Sequence, residues 1–120
     1  MAYVEDVEKI IDKIKNNRPH WKLSGRRKNH LTITQLGSDT EDIFDEVYQN
    51  ISVANYSSGP LQDNHIPPVD GDIWIFGLRL YGENPEGLNC YLKFQDKPNG
   101  LILWISLHEQ EYPLDFPYSS

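Results

Sequence analysis

Two short alternating runs near the end of the chain hold the side chains best suited to chemistry. In Asn89–Gln95 (NCYLKFQ), strand alternation puts Tyr91, Lys93 and Gln95 on one face and Cys90, Leu92 and Phe94 on the other. In Leu101–His108 (LILWISLH), the same rule groups Ile102, Trp104, Ser106 and His108 against Leu101, Leu103, Ile105 and Leu107. The preceding run, IWIFGLRLY (73–81), adds Arg79 on the face of Ile75, Gly77 and Tyr81. With helices over the Leu92/Phe94/Leu103/Ile105 side, the opposite face displays Arg79, Tyr91, Lys93, Trp104, Ser106 and His108. Cations there can neutralise a phosphate, a Tyr–His pair can move protons, and a Trp can stack on a base. The competing reading is a solvent-facing sheet covered by Ile102, Tyr91 and Trp104 and fringed by Lys93 and His108.

The stretch YSSGPLQDNHI (56–66) carries a second set of polar groups between a helical pattern and an apolar run. Asp63 and His65 could form a paired base, although Asp-Asn-His is also ordinary turn chemistry. His20 and His30 have no partner at a telling spacing. The chain has no HExxH, no P-loop, no GxGxxG and no Gly-x-Ser-x-Gly elbow. A zinc site would have to be assembled from scattered histidines, so no metal or cofactor is expected. Cys90 falls on the core side of its strand, where a thiol is not a nucleophile.

These side chains need a scaffold. Val4, Val7, Ile10, Ile11 and Ile14 recur at helical steps, giving an amphipathic helix over 3–16 with acids early and lysines late. Pro19 ends it, and WKLSGRRKNH reads as a basic connection before a short strand, LTIT (31–34). Ser38 with Glu41 three residues on reads as a capping box. The helix it opens runs to about Gln49 and buries Ile43, Phe44, Val47 and Ile51, with Glu41, Asp42, Asp45 and Glu46 as a solvated face. Turn clusters at PPVDGD, GENPEG and DKPNG then separate the three strands into consecutive antiparallel hairpins. The expected fold class is α+β, with two helices packed on one face of a small antiparallel sheet. Glu111–Ser120 forms an aromatic, Pro-rich tail that wraps back onto the body.

The composition bounds the function. A chain of 120 residues with 38% hydrophobic residues suits one folded domain, 1–120, and a single cysteine suits a reducing cytoplasm. No apolar leader and no membrane-length apolar run is present, so a cytoplasmic protein without a membrane partner is expected. The net charge of -7 argues against a nucleic-acid ligand, but its distribution does not. Residues 1–30 carry eight basic and four acidic side chains, +4, while the other ninety carry three basic and fourteen acidic, -11.

The succession SDTEDIFDEV, YSSGPLQD, GDIWIFG, CYLKF and LILWISLHEQEYP resembles the MqsR-like, RelE-class toxins of bacterial type II toxin–antitoxin systems. The resemblance covers about residues 31–113, flanked by the basic segment 1–30 and the tail 114–120. It implies a RelE-like fold, a metal-independent messenger-RNA endoribonuclease, and a cognate antitoxin as partner. Carried over residue by residue, the family's middle-strand Tyr falls on Tyr91, followed by Lys93, and the Gln of its loop falls on Gln62. The Lys that ends its last strand is His108 here, and the Lys before its Tyr-Ser loop has no counterpart at Asn50 or Ile51. The implied catalytic set is His108, Tyr91, Lys93 and Gln62, with Tyr56, Arg79, Trp104 and Ser106 binding substrate. The RNA 2′-hydroxyl would attack, with His108 and Tyr91 moving protons and Lys93 and Arg79 holding the phosphate. Two other classes fit the same residues. One is a non-enzymatic protein-binding module or inactive toxin homologue with an aromatic interaction face. The other is a small-ligand enzyme using Asp63 and His65.

Overall fold

The computed structural model describes residues 1–63, 66 and 70–119. Its elements run α1 (Val4–Asn16), β1 (Trp21–Leu23), α2 (Arg27–Gln35), α3 (Thr40–Asn50), β2 (Tyr56–Leu61), β3 (Asp72–Leu80), β4 (Leu88–Asp96) and β5 (Ile102–Glu109). The five strands form one sheet in the order β1-β5-β4-β3-β2, antiparallel except where β1 lies parallel to β5. The fold is α+β, as the sequence implies, with three helices rather than two.

The inner face of the sheet carries the core. Helix α1 buries Val7, Ile10, Ile11 and Ile14, and α3 buries Ile43, Phe44 and Val47, both at the spacing their periodicity demands. They meet Phe76, Leu92, Phe94, Trp104 and Leu107 from the sheet. Trp104 is fully buried, its ring 4.8 Å from that of Trp21 and 5.0 Å from that of Phe94. Burying a side chain of that size contributes about 1.5–3 kcal/mol or more from its apolar area.

Three local expectations are corrected. The segment read as a connection and a strand is instead β1 followed by α2. Asn29, Thr32, Ile33 and Leu36 are buried at helical steps, and four residues of LTIT are too few to tell alternation from a helix face. The cap of α3 is Asp39, whose carboxylate accepts from the Asp42 amide at 2.8 Å, and not Ser38. The acids of α3 are not merely solvated either. Glu46 accepts from the Tyr81 and Gly82 amides, and Asp45 pairs with Arg18.

Helix α2 closes the sheet where β1 stops. Strand β1 pairs only with Ile102, Leu103 and Trp104 of β5, which leaves later backbone groups of β5 without a strand. The buried Asn29 side chain donates to the Ile105 carbonyl (3.1 Å) and accepts from the Leu107 amide (2.9 Å), while Thr32 Oγ1 accepts from the Glu109 amide (3.0 Å). Side chains thus satisfy an edge that would otherwise be buried and unpaired.

The strand register decides which side chains face outward. Phe94 opposes Trp104, but the next β4 residue back, Lys93, opposes Ser106, so Ile105 is an extra residue in a β-bulge. Before the bulge, Ile102 and Trp104 point into the core. After it, Leu107 points inward while Ser106 and His108 lie opposite Lys93 and Tyr91 on the outer face. Strand β2 shifts register twice against β3, which keeps Ser58 opposite Ile75 and brings Leu61 opposite Ile73.

Candidate functional site

The outer face of β3, β4 and β5 carries two adjoining clefts. The first, about 280 Å³, is lined by Arg26, Tyr91, Lys93, Ser106, His108, Glu111, Tyr112 and Leu114. The second, about 620 Å³, is lined by Arg26, Leu61, Gln62, Asp63, Ile73, Ile75, Lys93 and Ile105. Arg26 and Lys93 belong to both, so the two form one groove divided by a pair of cations.

Each member is positioned by an identifiable device. Lys93 and Ser106 are cross-strand partners, as are Tyr91 and His108, whose rings stack at 5.5 Å. Arg26 is the N-cap residue of α2, and its guanidinium approaches Ser106 Oγ at 3.5 Å. It reaches the groove because Asn29, one turn into the helix, ties α2 to β5. His108 is only 8% exposed, and its Nδ1 lies 2.9 Å from the Glu109 carbonyl, which can act only as an acceptor. With Nδ1 donating to that carbonyl, Nε2 is the ring nitrogen left to take a proton.

The groove mixes charges: Arg26 and Lys93 line it together with the carboxylates of Glu111 and Asp63. Lys93 has no hydrogen-bond or ion-pair partner among the described residues. The carboxylate of Glu111 is held below the usual range chiefly by its hydrogen bond from Lys28 at 2.6 Å, and lies 4.0 Å from His108 Nδ1. Burial raises the Tyr91 phenol above its ordinary value, with Arg26 pulling the other way. Tyr91 is therefore a neutral hydroxyl that can donate. Among the described residues, no three His, Cys, Asp or Glu side chains cluster closely enough to hold a metal ion.

The sequence-derived residues divide sharply. Tyr91, Lys93, Ser106 and His108 line one cleft, and Gln62 lines the adjoining one with Lys93. Trp104 does not belong, because the bulge turns it into the core. Tyr56 does not belong either: it is fully buried, accepting from the Ala2 amide (3.1 Å) and donating to the Gly59 carbonyl (2.6 Å). The loop beginning at Tyr56 is instead edge strand β2 as far as Leu61.

Arg79 is on the outer face but at its other end, four residues along β3 from the Lys93 row, about 13 Å away. It donates to Asn89 Oδ1 (3.0 Å) and to the Glu86 carbonyl, and its guanidinium sits over the Tyr81 ring. His65 lies outside the described residues, and with it the Asp63–His65 pair. Cys90 is buried in the core as expected, and burial pushes its thiol up to about 12.

Arg26, like Glu111 and Tyr112, is a groove residue that the sequence patterns do not single out. Its signal is the run Gly25-Arg26-Arg27-Lys28, whose position beside β5 follows only once α2 is a helix. No helix among the described residues is long and apolar enough to cross a membrane. Comparison with protein-family models, with curated proteins and with solved structures finds no match for the chain.

Proposed function

We propose that the chain is an RNA endonuclease of the RelE-like kind, a toxin of a type II toxin–antitoxin pair acting on messenger RNA in the cytoplasm. The observation that carries the reading is that His108 and Tyr91 line one cleft with two cations, Arg26 and Lys93, neither paired to a carboxylate among the described residues. Phosphoryl transfer needs a base, an acid and stabilised phosphate charge, and these four groups supply them. Arg26 takes the phosphate-holding role that the sequence assigns to Arg79.

In this mechanism His108 Nε2 accepts the 2′-hydroxyl proton as that oxygen attacks the adjacent phosphorus. The new P–O2′ bond forms as the P–O5′ bond breaks. Tyr91 gives its proton to the departing 5′-oxygen, and the proton on His108 then restores the phenol. Arg26 and Lys93 hold the non-bridging oxygens as negative charge builds on them. The products are a 2′,3′-cyclic phosphate and a 5′-hydroxyl, with no net consumption of protons or water. Ser106, hydrogen-bonded to Arg26, positions that guanidinium.

The test is incubation of purified protein with single-stranded RNA in the presence of a chelator, followed by end-group analysis. Cyclic-phosphate ends that disappear in His108→Gln support the proposal. Intact RNA, with and without ribosomes, or ends other than these, would overturn it.

A further inference from the structure

We infer that the larger cleft is a nucleobase subsite, in which an unstacked base adjacent to the scissile phosphate lies on an aliphatic floor and is read by Gln62. The inference rests on the RNA reading above and extends it from where the strand is cut to how the sequence is chosen.

Four observations carry it. First, among the described residues the clefts share only Arg26 and Lys93, so a chain whose phosphate sits on those cations has one neighbour at His108 and the other over the larger cleft. Second, the larger cleft is floored by Ile73, Ile75 and Ile105, side chains of the sheet with no charge and no hydrogen-bonding group. Such a floor rewards burial of a flat, weakly polar face and offers nothing to a second phosphate. Third, Gln62 stands exposed at the rim, and its amide presents one acceptor oxygen and a donor NH2 side by side. A paired acceptor and donor of this kind can bond two adjacent atoms on a base edge, as amide side chains do in nucleic-acid readout. Fourth, two irregularities of the sheet build the cleft. The bulge sets Ile105 into its floor, and the register shift of β2 brings Leu61 opposite Ile73 to give it a wall. Perfect strand alternation would produce neither.

The placement also changes the role of Gln62. It does not line the cleft that holds His108, so it does not meet the atoms exchanging protons. Its contribution is to the choice of substrate, and losing it should level the preference among bases without abolishing cleavage.

The test uses short 2′-O-methyl RNA trimers, which cannot be cut. Four differ in their central base, and a fifth carries three abasic positions with the same phosphates. Binding is read by fluorescence anisotropy, and folding of each variant by circular dichroism. The expected result is about tenfold weaker binding of the abasic trimer and a several-fold spread among the four bases. Gln62→Leu, at an exposed position, should bring the four within twofold, and Ile75→Asp should weaken all four toward the abasic level. Equal binding of the abasic trimer, an unchanged ranking in Gln62→Leu, or no binding at all would overturn the subsite. The endonuclease reading fails differently: base-dependent binding persists, but the matching RNA with free 2′-hydroxyls is not cut, or is cut equally by His108→Gln.

Discussion

The outer face of the sheet carries a basic side chain near each end, Arg79 at one and Lys93 at the other, and the two ends are built to opposite purposes. Arg79, although exposed, is bonded to Asn89 and the Glu86 carbonyl and lies over the Tyr81 ring. Lys93 is engaged by none of the described residues and shares its cleft with Arg26. Between them runs the C-terminal tail. Leu114 and Phe116 press onto Gly77, where a Cβ would stand only 2.8 Å from Phe116 Cζ and 2.9 Å from Leu114 Cδ1. Gly77 is thus the row at which the strap crosses β3, and Tyr118 anchors it beyond by donating to the Ala2 carbonyl and stacking on Tyr56. A cation on a sheet face marks a ligand site only where the fold has left its charge unspent. Among the described residues that condition separates two residues which strand alternation treats alike.

The largest effect should come from the open end. His108→Gln keeps a side chain that can bond the Glu109 carbonyl but removes the imidazole base. Cleavage should fall about 10²- to 10⁴-fold, the range for loss of a positioned acid–base group, while the thermal midpoint barely moves. A comparable loss from Arg79→Gln would erase the distinction between the ends.

The strapped end should answer in stability instead. Phe116→Ala removes a half-buried ring from the Gly77 row, and part of the 1.5–3 kcal/mol expected for full burial should be lost, about 1–2 kcal/mol by urea titration. Cleavage per folded molecule should stay within about twofold, because Phe116 lines neither cleft of the groove. A tenfold change in cleavage, in either direction, would mean that the strap belongs to the site.

How far the sequence discloses this arrangement depends on the length of the signal. The five apolar positions of α1 and the three Gly/Pro-bounded strands are long, consistent patterns, and the helix and the meander follow from them. The elements between residues 21 and 35 do not, since β1 has three residues and α2 is held by Asn29 and Thr32, polar side chains that no apolar period reveals. Tyr91, Lys93 and His108 are legible because they lie on regular strand positions or just past one bulge. Trp104 is misplaced by that same bulge, whose extra residue shows only in the pairing with β4. Arg26 is visible as part of a basic run, but its place beside Ser106 depends on a helix that Asn29 ties to β5.

Replacing one arginine at each end tests the comparison directly. Arg26→Gln should reduce cleavage about tenfold and flatten the salt dependence of single-stranded RNA binding by about 0.7 in log–log slope, the value for one phosphate left unneutralised. Arg79→Gln should leave both within error, its guanidinium being bonded to protein.

The smallest effect lies in the titration of Tyr91. Burial disfavours its phenolate, so the folded chain holds the phenolic proton to higher pH than the unfolded chain does. The stability linked to this group is therefore complete below the ordinary tyrosine value and declines as the pH rises through and above it. Arg26 opposes the shift by stabilising the phenolate. Removing that positive charge in Arg26→Gln should move the Tyr91 titration further upward, read as the difference in phenolate ultraviolet absorbance between each protein and its Tyr91→Phe counterpart. Arg79→Gln should leave the difference curve in place, because the Arg79 guanidinium is held toward Asn89 and Glu86 rather than toward the phenol. Equal displacement by the two substitutions would show that the phenol senses the charge of the whole face rather than the guanidinium beside it. Tyr91 would then no longer serve as the proton donor tuned by Arg26.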